Sequence, residues 1–119
     1  MEITSGGTPG PRLADEWASL DNNVYGALPG APPVSQLAQA FVAAGWRARA
    51  SSWSDFEVER EWVRLELMQE SPDNAIFSGV IDPTRVDELG AAFSQLGLHY
   101  SIEVWNEGRT EIIREHKSR

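Results

Sequence analysis

The chain has 119 residues, 41% hydrophobic and 24% charged, a length suited to one hydrophobic core and a composition too apolar for intrinsic disorder. Eighteen acidic against ten basic residues give a formal charge of −8, which repels phosphate backbones and anionic lipid and argues against nucleic acid or a membrane as partner. Cysteine is absent, which excludes disulfides, thiol nucleophiles and thiolate metal sites.

Residues Met1 to Pro11 hold three glycines and two prolines and almost nothing apolar. Residues 1–12 are therefore expected to form a flexible tail, and 13–119 a single α+β domain. The first residues carry neither a basic stretch nor an apolar one, so the expectation is a cytoplasmic protein. Arginine dominates lysine, and alanine, glycine and proline are abundant, a composition associated with high-GC bacteria.

Leu13, Trp17 and Leu20 fall at helical spacing and predict a short N-terminal helix. From Asp21 to Pro33 the chain is rich in turn and breaker residues and reads as a loop. Val34, Leu37, Ala38, Phe41 and Ala44 then form one apolar stripe ended by Gly45, a helix with its C-terminal glycine. Trp46 to Ala50 alternates apolar residues with Arg47 and Arg49 and reads as a strand.

The next segment sets Phe56 and Val58 on one face and Asp55, Glu57, Glu59 and Glu61 on the other, yet Val63, Leu65 and Leu67 continue on the opposite parity. No turn residue separates the two halves, so the phase change predicts a β-bulge near Arg60 to Trp62. Beyond the turn Ser71 to Asn74, residues Ala75 to Ile81 are apolar on both faces, as in a central strand. Asp82 and Pro83 start a second helix over Val86, Leu89, Phe93 and Leu96, closed by Gly97. Leu98 to Trp105 alternates again, and Asn106-Glu107-Gly108 predicts a three-residue hairpin loop with Gly108 at positive φ before a last strand from Thr110 to Glu115.

The expected fold is thus a mostly antiparallel five-stranded sheet with two main helices on one face. Ala40, Phe41, Gly45 and Trp46 match Ala92, Phe93, Gly97 and Leu98 in spacing, which suggests two α-β-β halves.

For function, the acid row and the tryptophans stand out. A ladder of like charges on one strand face is relieved by a basic partner, although it also guards an edge strand, and Arg47 and Arg49 could neutralise it from within. Trp62 and Trp105 fall on the polar side of the sheet, where aromatic anchors favour an interface. The candidate binding residues are Asp55, Glu57, Glu59, Glu61, Trp62, Arg64, His99 and Trp105. Alternate carboxylates on a strand stand too far apart to share one ion, so neither a metal nor any other cofactor is expected, and no catalytic residue is assigned.

The reading that follows is a small non-enzymatic module of the immunity-protein or antitoxin kind, occupying a basic protein partner. In it, reversing Glu57 and Glu59 to lysine abolishes binding and spares the melting temperature. A second reading is a ligand-binding protein or enzyme with a pocket between helix and sheet, lined by Trp46, Phe77, Phe93 and Tyr100, in which His99 pairs with Glu115. A third is a homodimer joined through its aromatic face.

Overall fold

The computed structural model describes residues 3–118. Its elements run in the order α1 (Asp15–Ala18), β1 (Val24–Pro29), α2 (Val34–Ala43), β2 (Arg47–Ala50), β3 (Phe56–Arg60), β4 (Val63–Ser71), β5 (Asn74–Ile81), a 3-10 turn (Pro83–Arg85) running into α3 (Val86–Gln95), β6 (Ser101–Trp105) and β7 (Ile112–Lys117). The fold is α+β with one antiparallel sheet, but the sheet has seven strands in the order β2-β3-β4-β5-β1-β6-β7, not five.

The first extra strand is β1, from the stretch expected to be a loop. Val24 and Leu28 point into the core, while Gly26 takes the core position between them. A side chain at Gly26 would strike the Phe77 ring and the Ser101 carbonyl, so the glycine that masks the alternation is what lets β1 lie between β5 and β6. Asn23 extends the ladder: its side-chain amide donates to the Ile81 carbonyl at 2.9 Å, its Oδ1 accepts from the Ile81 N–H at 2.9 Å, and its own carbonyl accepts from Trp105 N–H.

The second extra strand comes from the phase change, which is a hairpin and not a bulge. Arg60 pairs with Val63 and Val58 with Leu65, leaving Glu61 and Trp62 as a two-residue turn. Two turn residues carry the inward positions from 56, 58 and 60 to 63, 65 and 67, which is the parity switch seen in the sequence. The usual glycine or asparagine signal is missing because both turn residues keep negative φ.

Both main helices lie on one face. Leu37 and Phe41 of α2 and Leu89 and Phe93 of α3 join Val58, Leu65, Phe77, Ile102 and Val104 in a single cluster, with the Phe41 and Phe93 rings 6.2 Å apart. The helices end in the same way. Gly45 (φ 95°) and Gly97 (φ 74°) follow the last turn, and Trp46 and Leu98 donate back to the Phe41 and Phe93 carbonyls, the paired bonds of a Schellman motif. At their starts, Gln69 Oε1 accepts the Val34 N–H of α2 and Asp82 Oδ1 accepts the Thr84 N–H ahead of α3. Each helix leads into a terminal hairpin, β2-β3 at one edge and β6-β7 at the other.

Of the segment set aside as a tail, residues 3–12 run beside β2. Thr8 N–H donates to the Ala48 carbonyl, Ala48 N–H to Thr8 Oγ1, and Ala50 N–H to the Thr4 carbonyl, while Ile3 joins the core cluster. Ala14 N–H then bonds the Glu61 carbonyl as the chain crosses toward β1. Among the described residues no helix is long and apolar enough to cross a membrane.

Candidate functional site

The face away from the helices carries most of the charged residues of the strands. Alternation sets Arg49, Glu57, Glu66, Ser78, Tyr25, Glu103 and Glu115 in one row across all seven strands, and Arg47, Glu59, Arg64 and Val80 in the next. Glu57 faces Glu66 and Glu103 faces Glu115, two like-charge pairs in contact register.

The acid row does not act as one surface. Glu57 is held by Arg49 through two bonds of 3.0 and 3.3 Å, and that hydrogen bond, with the carboxylate charge, raises the Arg49 pKa above its ordinary value. Glu59 is buried, with 4% of its surface exposed: Oε1 receives Arg47 Nη1 at 2.7 Å and Oε2 the Leu13 N–H at 3.0 Å. Asp55 sits before β3 and accepts from Ser54 Oγ, and Glu61 stands exposed in the β3-β4 turn.

Other predicted residues scatter. Trp62 belongs to the helix side and not to the polar face: it is buried, its ring 6.0 Å from Trp46 and beneath the Arg85 guanidinium at 4.9 Å. The two-residue turn swings it inward, which the bulge reading could not foresee. Arg85 bonds Glu88 through Nε and through Nη2 at 3.1 Å, and these bonds hold the Glu88 carboxyl below its ordinary range. A depressed carboxyl pKa contributes stability above the unfolded value and loses it as pH falls through the folded one. Arg85→Ala is expected to return the Glu88 midpoint upward to the ordinary value in a carbon-detected NMR titration.

His99 does not meet Glu115. It lies exposed in the link between α3 and β6, and the β6-β7 register pairs Glu115 with Glu103. The loop is longer than expected, running over residues 106–111, and its positive φ falls at Arg109 (53°) and not at Gly108. Asn106 organises it, its Oδ1 accepting the Thr110 and Glu111 N–H groups. The histidine that finds a partner is His116, whose Nε2 is 3.1 Å from Tyr100 Oη. Trp46, Phe77, Phe93 and Tyr100 share no pocket among the described residues: Trp46 and Tyr100 border separate shallow clefts, while Phe93 packs against Phe77 at 5.3 Å and Tyr100 at 5.5 Å, and Trp46 against Phe41 at 4.9 Å.

Trp105 does stand on the open face, and it borders a cleft of about 820 Å³. One wall is the segment from Glu16 to Asn23 with Trp17, the other the β6-β7 loop with Asn106, Glu107 and Ile113. Glu16, Asp21 and Glu107 bring three carboxylates to it, none in an ion pair among the described residues. Arg109 is turned away onto Tyr25 Oη at 3.3 Å, a bond that raises its pKa, with Asp21 acting only through its charge. Glu16, Trp17, Asp21 and Glu107 were missed because they come from segments read as helix surface and turns. The one available signal was the amphipathic placement of Trp17. Trp53, fully exposed in the β2-β3 loop, was not singled out either.

Among the described residues no three histidine or carboxylate side chains gather as a metal ion would require. Comparison of the chain with protein-family models, with curated proteins and with solved structures found no match.

Proposed function

We propose that the protein is an acidic, non-enzymatic binding module of the immunity-protein or antitoxin kind, and that it receives a cationic side chain of a basic protein partner in the cleft of Trp17 and Trp105. The observation that carries this reading is the cleft's composition: two half-buried indoles and three carboxylates in no ion pair among the described residues, on a chain of charge −8. A guanidinium or ammonium group gains from both, through the negative face of the indole and through the carboxylates. The unpaired acids Glu66, Glu103 and Glu115 extend the negative potential across the open face and would steer such a partner. The site therefore moves from the acid row to the other end of the sheet, and Trp105 is the predicted residue that it retains. A chain free of cysteine is at home in a reducing cytoplasm, where we place the interaction.

The test is an NMR titration of the indole N–H signals with an arginine-rich peptide. Trp17 and Trp105 are expected to shift saturably while buried Trp46 and Trp62 stay still, and Trp105→Ala is expected to weaken binding by about 2 kcal/mol, roughly thirtyfold. Equal drift of all five indoles, or full affinity without Trp105, would count against the cleft.

A further inference from the structure

At the opposite end of the open face, four of the ten basic residues, Arg12, Arg47, Arg49 and Arg64, line a single polar cleft of about 570 Å³ with Glu57 and Glu59. Two of these guanidinium groups are engaged, Arg47 by Glu59 and Arg49 by Glu57. The other two are held weakly or not at all. Arg64 makes no hydrogen bond or ion pair among the described residues, and exposed Arg12 comes no nearer than 3.9 Å to the carboxylate that Arg47 already neutralises. Four positive charges against two negative ones leave a surplus of two on a chain whose overall charge is strongly negative.

We propose that this cleft binds a phosphate group in its dianionic form. Its charge equals the surplus, and its oxygens accept the paired N–H groups of an arginine fork. The scaffold is already rigid: Arg47, Glu59 and Arg64 stand directly opposite one another on β2, β3 and β4. Neighbouring strands lie about 4.8 Å apart, so side chains two strands apart can meet over one ligand. Ser5 and Gly6 form the remaining wall, with the Gly6 carbonyl fixed by Arg47 Nη2 at 3.1 Å. Glu66, opposite Glu57 at the margin, works against the anion. The site uses Arg64 from the predicted set and is independent of the tryptophan cleft.

The experiment is an NMR titration of the full chain at low ionic strength with inorganic phosphate, phenyl phosphate and a phosphoserine peptide, against chloride at matched ionic strength. Saturable shifts at residues 5–6, 47–49, 57–59 and 64 are expected, strengthening as pH rises through about 6, where a phosphate monoester gains its second charge. Arg64→Ala removes no hydrogen bond or ion pair, so it should melt close to the wild type while binding about tenfold more weakly, and Glu66→Gln should bind more tightly. Equal affinity for phenyl phosphate and the peptide identifies a small phosphorylated molecule as the source, and peptide binding more than about tenfold tighter identifies a phosphorylated chain; both sustain the proposal. Shifts that chloride reproduces, or that Arg64→Ala leaves unchanged, overturn it.

Discussion

Gly79→Ala is expected to be among the most damaging single substitutions in the sheet. A Cβ at this position would lie 1.9 Å from the Arg64 carbonyl oxygen, 2.9 Å from its carbon and 3.0 Å from Leu65 Cα, all of them backbone atoms of β4. No side chain can rotate to make room, so the β4-β5 ladder itself must open. Overpacking a core commonly costs 1–3 kcal/mol, and backbone that cannot yield puts this site at about 3 kcal/mol or more. For a domain of this size that is a fall of roughly 10 °C or more in melting temperature, read by thermal circular dichroism. A change under about 2 °C would mean that β4 and β5 pack less closely at this point than described.

Glu59→Ala comes next, by a different route. The substitution leaves the Arg47 guanidinium buried without its counter-ion and the Leu13 N–H without an acceptor. Breaking one side of a buried ion pair costs about 3–5 kcal/mol, since the surviving charge stays out of water. Glu57→Ala is the control: its pair with Arg49 is partly exposed, so the loss should be about 1 kcal/mol or less. Chemical denaturation of the two variants side by side checks both figures. Reversal of Glu57 and Glu59 together should therefore lower the melting temperature substantially, contrary to the expectation drawn from sequence alone, because Glu59 joins the N-terminal segment to β2 and β3.

What the sequence disclosed, and what it withheld, follows from where local rules apply. The helices at Val34–Ala43 and Val86–Gln95 were legible because an apolar stripe and a closing glycine agreed in both, and Asp82 with Pro83 marked the start of the second. β1 was hidden because Gly26 occupies a core position, so the pattern lost its middle apolar residue to a long-range demand for space from Phe77. The β3-β4 hairpin was hidden because Glu61 and Trp62 turn the chain without the residues that favour left-handed φ.

At the site, the alternation of Arg47 and Arg49 and of Glu57 and Glu59 was visible, but that each arginine would face a glutamate depends on the hairpin register, which composition does not carry. The tryptophan cleft was less legible still. It joins residues 16–23 to 105–108, distant in sequence, and they meet because β1 inserts beside β6. Trp62 and Trp105 looked alike by parity, and only the turn at Glu61 and Trp62 separates a core residue from a surface one.

The central claim, that the cleft of Trp17 and Trp105 holds a basic partner, is tested most directly by affinity capture from the source cells. Wild type and Asp21→Lys with Glu107→Lys are used side by side and read by mass spectrometry. Both altered residues are exposed and free of ion pairs, so the variant should melt as the wild type does. A basic protein retained by wild type and lost from the variant is the predicted result; a partner retained equally by both would contradict the account.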